Sequence, residues 1–225
     1  MLKLTFREIR ASFGRWLAIF AIVALGVGFF CGLRLTKTAM IHTLDVYLRE
    51  HGMYDFRLIS TLGFTDDDVS FFRAQDGVSA AEGAVWQDVL CDVNGKTGVV
   101  LHAMSIPQNI NTLDLKAGRL PENDTECVAD AWIYGEDIIG QTITLSAEND
   151  ADTLDAFRGD SFTVVGVAKS PLYINYERGT TSVGSGAVTG FIYLPSGAFD
   201  MDYYTDIYLT LSGAAGQVYS EQYDS

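Results

Sequence analysis

Residues 14–34 read GRWLAIFAIVALGVGFFCGLR, an apolar run with an arginine close to each end. A helix rises about 1.5 Å per residue, and the hydrocarbon core of a bilayer is about 30 Å thick. Residues 16–33 are therefore just long enough to cross it. A soluble helix of this length needs a polar face, and no position between Arg15 and Arg34 supplies one. We predict a transmembrane helix over residues 16–34.

Two other kinds of segment share such an apolar run. A cleaved signal peptide needs small residues soon after its apolar centre, but RLTKTAMIH follows at 34–42. A lipoprotein signal would have a small residue before Cys31, where this chain has Phe30. The core helix of a soluble protein would need the missing polar face. The sequence favours an uncleaved membrane span over both.

The net charge of −14 is distributed unevenly along the chain. Residues 1–15 hold four basic residues and one acidic residue, so the rest of the chain carries −17. Because positive charge beside a span stays in the cytoplasm, we predict a cytoplasmic N-terminus and an extracellular C-terminal domain, with one pass through the cell membrane. Arg34 and Lys37 mildly oppose this orientation. An acidic outer domain also argues against nucleic acid as a partner, since phosphate binding requires basic patches.

The segment before the span has the pattern of an amphipathic helix. Apolar residues recur at spacings of three and four, which places them on one helical face beside a basic stripe. This predicts an interfacial helix over residues 1–15 whose basic side chains reach lipid headgroups. A basic flank without fixed structure is the alternative. The apolar positions are Leu2, Phe6, Ile9, Phe13 and Trp16, and the basic positions are Lys3, Arg7 and Arg10.

Small residues form a stripe within the span. Ala24, Gly28 and Gly32 lie four residues apart, a spacing that lets a second helix approach closely. We expect these three residues to pack against another membrane helix. The alternative is ordinary composition, because glycine is frequent in membrane helices.

Helical periodicity continues beyond the span through Met40, Leu44, Tyr47 and Leu48. We predict a stalk helix over residues 35–52 that ends near Gly52. Residues 53–225 form the extracellular core domain, which we expect to be incomplete at its C-terminus. Few helical segments separate its predicted strands, so the fold class is α+β rather than regularly alternating α/β.

Local signals place several elements of this domain. Thr65 followed by three acidic residues predicts a helix over residues 65–75. Asn94-Gly95, between VWQDVLCDV (85–93) and TGVVLHAMSI (97–106), is a strong hairpin signal. Further strands are predicted at 54–60, 125–130, 141–145, 161–168, 190–194 and 206–211.

The glycine-rich loop RGTTSVGSGAVTG (178–190) is the first candidate for a binding site. Gly179 and Gly184 have the spacing of the two glycines in a phosphate-binding loop, but Ser185 occupies the position of its lysine. Without that lysine the contact to the β- and γ-phosphates is missing. We therefore expect a mobile loop of glycine, serine and threonine rather than a nucleotide site.

The acidic clusters resemble metal sites only superficially. Residues 66–68 are three aspartates in a row and would point in different directions on a helix. The acidic residues at 150, 152 and 155 lack the glycine and the closing glutamate of a calcium loop. The three histidines are scattered, and no serine lies in a G-x-S-x-G motif. We expect no catalytic residue, no metal and no cofactor, so the sequence does not predict an enzyme.

Cysteine usage is sparse. Cys31 lies in the predicted span, which leaves Cys91 and Cys127 as the only outer pair. Two cysteines without framework spacing do not make a disulfide scaffold. Two buried thiols are favoured over a bridge between them.

Three segments in order carry a family resemblance: KAGRLPENDTECVADAWI (116–133), IIGQTITL (138–145) and FTVVGVAKSPLYINYERG (162–179). Together they resemble the extracellular core domain of MacB/FtsX-like ABC transporter permeases. The N-terminal layout of a basic segment, one span and a long outer domain that begins with a helix is similar too. The motif positions are Gly118, Arg119 and Pro121, then Ile139, Gly140, Ile143 and Leu145, then Phe162, Val164, Val165, Gly166, Val167, Ser170 and Pro171.

The resemblance implies a permease subunit whose partner is a separate cytoplasmic ATP-binding subunit, with a second copy or a homologous permease beside it in the bilayer. Such permeases have three more spans after the outer domain, so we expect this chain to be the N-terminal part of a longer permease. A degenerate relative of the family is the alternative. Family substrates include peptides, antibiotics and lipoproteins. The alternative function is a membrane-anchored extracellular module that binds or senses a ligand without transport.

Overall fold

The computed structural model describes residues 13–212 and divides the chain into two compact units, residues 1–46 and 47–225. Most of the amphipathic segment predicted at 1–15 lies outside the described residues. The first element is a helix, α1 (Phe13–Glu50), of 38 residues. It is long and apolar enough to cross a bilayer, and its apolar side chains are exposed along the predicted span.

Helix α1 passes without a break through the boundary predicted at residue 34. Threonine hydroxyls at 36 and 38 donate to the carbonyls four residues earlier, so these polar side chains are satisfied within the helix. The helix ends at Glu50, and Gly52 adopts φ +59, a left-handed conformation that glycine tolerates at a helix end. The continuous helix and its end near Gly52 agree with the predicted stalk.

We call the second unit, residues 47–225, the outer unit. Its described part consists mainly of short strands, and the α+β class is confirmed. Within residues 53–212, two short helices and two 3-10 turns interrupt the strands. The elements are β1 (Phe56–Phe64), α2 (Asp66–Arg73), β2 (Val78–Ala84), β3 (Trp86–Val93), β4 (Lys96–Ser105), β5 (Asp114–Gly118), β6 (Glu126–Asp130), β7 (Thr142–Leu145), α3 (Ala151–Asp155), β8 (Ser161–Lys169), β9 (Gly190–Leu194) and β10 (Tyr204–Leu211), with 3-10 turns at Glu136–Ile138 and Ser196–Ala198.

A three-stranded antiparallel sheet has the order β1-β10-β2, and α2 packs on it. The N-cap of α2 is Thr65, whose hydroxyl accepts from the backbone N–H of Asp68 while the Asp68 carboxylate accepts from that of Thr65. This capping box explains the acidic helix start. A small core of Val69, Ala81, Ile207 and Leu209 joins the helix to the sheet.

A seven-stranded mixed sheet has the order β5-β8-β6-β9-β4-β3-β7, and β7 also pairs with β8. That last pairing closes six of the strands on themselves and leaves β5 outside the ring. Pairs β4–β9 and β6–β8 are parallel, and the others are antiparallel. Closure removes free strand edges. It also gives every ring strand an inner face.

The inner face of the closed sheet holds the main core. Its fully buried members include Leu101, Phe162, Ile143 and Ile192. Cys91 and Cys127 lie there as free, buried thiols, as the sequence favoured. Burial raises the pKa of the Cys91 thiol to about 12. Both cysteines therefore behave as small apolar side chains at neutral pH.

Most predicted strands are confirmed within two or three residues, and the Asn94-Gly95 turn has φ of 52° and 73°, as its hairpin requires. Three elements have no counterpart among the predicted ones. Strands β2 and β5 are VSAAEGA and DLKAG, whose small and charged residues have low strand propensity. Helix α3 is only five residues long and lies in an acidic stretch whose composition resembles a linker.

Candidate functional site

The end of α1 is fixed to a loop of the outer unit. The backbone N–H of Asn111 donates to the carbonyl of Gly52 over 2.9 Å, and that of Thr112 donates to the carbonyl of His51 over 2.8 Å. The Asn111 side-chain oxygen accepts from the backbone N–H of Tyr54 over 3.0 Å. A Cβ at Gly52 would lie 2.8 Å from the carbonyl oxygen of Asn109, so only glycine fits this approach. We call residues 107–112 the clamp loop.

Glu82 of β2 fixes the other side of the clamp loop. Its carboxylate accepts from the backbone N–H groups of Gln108, Asn109 and Ile110 over 2.6, 2.9 and 3.0 Å. The carboxylate thus satisfies three backbone N–H donors that have no partner in a sheet. The helix end, the clamp loop and the three-stranded sheet are therefore joined by hydrogen bonds.

A cleft adjoins the clamp loop, and we call it the Trp86 cleft. Its walls include the rings of Trp86, Tyr193 and Tyr208 together with Met104, Asn111 and Leu172. About 20 Å³ of it admits the centre of a water-sized group, slightly more than one enclosed water requires. The cleft thus has room for a single small group.

Three buried side-chain atoms lack a hydrogen-bond partner among the described residues: Trp86 Nε1, Asn111 Nδ2 and Asp206 Oδ1. The first two belong to walls of the Trp86 cleft. Asp206 is not a cleft residue. Its other oxygen accepts from Arg57 over 2.8 Å, and burial nevertheless raises the pKa of this carboxyl. Two residues of the cleft walls therefore each carry a buried N–H donor without an acceptor.

Beside the cleft, an ionisable pair joins β3 and β4. His102 Nδ1 lies 2.5 Å from Asp88 Oδ1, and the imidazole stacks on the Trp86 ring with centroids 4.7 Å apart. Burial disfavours the charged form of Asp88, but hydrogen bonds from His102 and Thr181 outweigh it and lower the pKa of this carboxyl. Thr181 belongs to the glycine-rich loop, so the pair also holds that loop.

The glycine-rich loop covers the outer face of the closed sheet. A Cβ at Gly184 would lie 2.7 Å from the Leu90 side chain, so the loop backbone lies directly on β3. At the start of the loop, the Arg178 guanidinium forms two hydrogen bonds with Asp130, and both side chains are fully buried. The structure gives this loop a covering role. Its mobility stays a prediction.

The family-motif glycines form a close backbone crossing between β5 and β8. Gly118 pairs with Gly166 in register, and Gly118 has φ +76. A Cβ at Gly118 would lie 2.2 Å from the Val165 carbonyl oxygen, and one at Gly166 would lie 2.5 Å from that of Arg119. Close packing of the two backbones therefore requires glycine at both positions.

The other motif residues support the same region. Arg119 donates two hydrogen bonds of 2.7 Å to Glu126, just beyond Pro121. Ser170, next to Pro171, shares a hydrogen bond of 2.8 Å with the Tyr193 hydroxyl. Gly140 has φ +88 after a 3-10 turn. These contacts stabilise the fold. Among these motif residues, Ser170 contacts a wall of the Trp86 cleft, through the hydroxyl of Tyr193.

The Arg119–Glu126 pair predicts a pH-dependent stability. The Arg119 guanidinium, with the backbone N–H of Glu122, lowers the pKa of Glu126 from 4.5 to about 2. Because the folded-state pKa is depressed, this stabilisation is present above about pH 4.5 and is lost as the pH falls towards 2. We expect Glu126→Gln to lower the thermal midpoint at pH 7 and to match the wild type near pH 2. Glu122→Gln is the control, since that side chain is 76% exposed and 4.0 Å from Arg119; an equal pH-dependent effect there would contradict the assignment.

The remaining candidates from the sequence have structural roles where the structure describes them. Asp66 accepts from the Tyr204 hydroxyl, and Asp150 caps α3 through the backbone N–H of Thr153. Within residues 13–212 no group of three His, Cys, Asp or Glu side chains could hold a metal ion. Ala24, Gly28 and Gly32 lie on the exposed surface of α1, and their packing against another helix stays a prediction.

Sequence reasoning missed the Trp86 cleft, because its walls come from five separate segments of the chain.

Comparison with solved structures finds outer domains of transporters. The extracellular domain of the noncanonic ABC-type transporter YknZ from Gram-positive bacteria matches with 14% identity and a TM-score of 0.45, covering 69% of this chain and 76% of that one. The periplasmic region of MacB from Actinobacillus actinomycetemcomitans matches with 15% identity and a TM-score of 0.41, covering 72% and 69%. The chain is similar to these domains over about 70% of its length. No family model and no curated protein matches the chain.

Proposed function

We propose that the chain is a permease subunit of an ABC transporter, with its N-terminus in the cytoplasm and residues from about 35 onward outside the cell membrane. A separate cytoplasmic ATP-binding subunit would drive it, with a second permease copy beside it in the bilayer. The outer unit would then export or release a peptide, an antibiotic or a lipoprotein at the membrane surface. The motifs at 116–133, 138–145 and 162–179 support this proposal.

The observation that carries the proposal is the continuity of α1. One unbroken helix joins the apolar segment to Glu50, and the backbone at 51–52 is tied directly to the clamp loop. A helix with continuous hydrogen bonding transmits a displacement along its axis without absorbing it in a hinge. Movement of the membrane segment would reach the clamp loop, and through Glu82 it would reach β2.

The test uses the full chain in membranes from cells that produce it naturally. Hydrogen exchange of residues 107–112 is measured with ATP and after ATP depletion. We expect ATP to change the exchange rate of this segment. A Gly-Pro-Gly insertion after Thr38, which breaks α1, should abolish the response, while the same insertion between Asn94 and Gly95 should leave it intact because that turn is exposed.

An ATP-independent exchange rate in the wild type would contradict the proposal. It would favour the alternative function, a membrane-anchored module that binds or senses a ligand. A response that survives the insertion after Thr38 would contradict transmission through α1 alone. Labelling of an introduced cysteine by a membrane-impermeant maleimide from outside the cell tests the orientation separately.

A further inference from the structure

The three-stranded sheet has one edge that nothing protects. Among the strands that the structure describes, β1, β2 and β5 have only one neighbour each. Strand β5 is short, bulged and carries Asp114 and Lys116, features that discourage pairing with a further strand. The clamp loop already binds Glu82 of β2. The one charged side chain of β1, Arg57, is bonded to Asp206, which leaves the edge of β1 open to pairing.

One face of this sheet is also covered only in part. Helix α2 packs mainly on β2 and β10. Leu58 of β1 contacts the core beneath α2. Phe56 lies two residues earlier in the same strand and points to the same face, but it is 55% exposed. Ile59, on the opposite face, is 64% exposed. Strand β1 thus presents large apolar side chains beside an unpaired backbone edge.

The course of the chain decides what reaches this edge. Strands β1 and β2 are both antiparallel to β10, which lies between them, so β1–α2–β2 is a crossover connection between parallel strands. Such connections are right-handed in about 98% of cases. Because β10 runs antiparallel to β1, a right-handed connection from β10 through a helix on the α2 face crosses the sheet in the opposite direction. It ends at the free edge of β1.

A helix on the opposite face would lead to the edge of β2 instead. That face already has its contacts. Glu82 and Tyr208 are paired in register across β2 and β10, and the Glu82 carboxylate accepts from the clamp loop. Tyr208 is buried there as a wall of the Trp86 cleft. The α2 face beside β1 is therefore the place for a second helix.

We propose that the free edge of β1 and the uncovered face beside α2 bind a helix and a strand that lie further along the same polypeptide, beyond Ser225. The strand pairs antiparallel with β1, and the helix covers Phe56. The sheet then has four strands in the order new strand-β1-β10-β2, the arrangement of a βαββαβ unit. The proposal rests on the expectation that this chain is part of a longer protein, and it holds whether or not that protein transports a substrate.

The test compares two proteins in lipid nanodiscs: the product of the complete natural gene and the same product cut after Ser225. Hydrogen exchange is followed in residues 56–60. We expect exchange there to be at least about tenfold slower in the uncut protein, because a paired strand protects its amides. Residues 114–118, at the protected edge of β5, are the internal control and should exchange equally in both proteins.

Two variants of the uncut protein test the helix. Phe56→Ser removes an apolar side chain that the helix buries, so the thermal midpoint should fall by at least about 5 °C. Ile174→Ser is the matched control, because Ile174 is also 55% exposed but lies outside the three-stranded sheet. It should shift the midpoint by less than about 2 °C. In the cut protein both variants should be close to neutral.

Four results would overturn the proposal. The first is a reading frame that stops at Ser225 or continues without a helix followed by a strand. The second is equal exchange of residues 56–60 in the cut and uncut proteins. The third is an equal shift of the midpoint by Phe56→Ser and Ile174→Ser in the uncut protein. The fourth is protection of residues 56–60 that rises with protein concentration, which would mean that a second copy covers the edge.

Discussion

Alanine at Gly118 is expected to lower the free energy of unfolding by about 3–5 kcal/mol, since two penalties coincide there. The residue has φ +76, where a Cβ is strained, and that Cβ would lie 2.2 Å from the Val165 carbonyl oxygen. The obstacle is backbone of β8 at the end of the β5–β8 pairing, so it cannot move like the end of a flexible side chain. Urea unfolding of the detergent-solubilised chain, followed by near-UV circular dichroism, measures the change.

Three further glycines measure the backbone strain of a positive φ and the steric overlap of a Cβ separately. Gly159 has neither a positive φ nor a described atom within 4 Å of the place that a Cβ would take, so Gly159→Ala should be close to neutral. Gly140 has φ +88 and open space, so Gly140→Ala should cost about 1–2 kcal/mol from backbone strain alone. Gly166 has the close contact without positive φ, so Gly166→Ala isolates the steric term. Equal effects at Gly118 and Gly159 would contradict the packing role.

The motif glycines show which features of this fold the sequence predicts and which it does not. The order of GRLP, IIG and VVGV indicated a related outer domain, but nothing local indicated that Gly118 and Gly166 face each other across two strands. That pairing joins positions 48 residues apart in the chain. The hairpin at Asn94-Gly95 and the cap at Thr65 were predictable because both depend on neighbours within a few residues.

The closed sheet and the Trp86 cleft could not be predicted for the same reason. Closure depends on β7 pairing with both β3 and β8. Nothing in the sequences of these three strands indicates which strand pairs with which. The cleft depends on Trp86 and Asn111 keeping free donors, which only the assembled hydrogen-bond network shows. By contrast, the apolar run at 14–34 was readable directly, since membrane thickness sets the length of a span.

Loss of the Arg178 guanidinium is expected to destabilise the outer unit by about 3–5 kcal/mol, because it leaves Asp130 buried without its partner. Arg178 Nε and Nη2 donate to the two Asp130 oxygens over 2.6 and 3.1 Å, and both side chains are fully buried. The guanidinium also lies over the rings of Tyr173 and Phe191, with distances of 5.1 and 5.5 Å to their centroids. Arg178→Met keeps much of the volume and removes the charge, and urea unfolding gives the change.

Arg158 provides the matched control for this substitution. It faces Asp200 over 3.4 Å, but both side chains are 62% exposed, so Arg158→Met should cost less than about 1 kcal/mol. Adding Asp130→Asn to Arg178→Met should recover part of the loss, since the unpaired buried charge is then gone. Hydrogen exchange should accelerate across residues 170–189 in Arg178→Met and stay unchanged in Arg158→Met, because Arg178 fixes the start of that loop to β6. Equal costs for the two arginine variants would show that the buried pair does not hold the loop on the closed sheet.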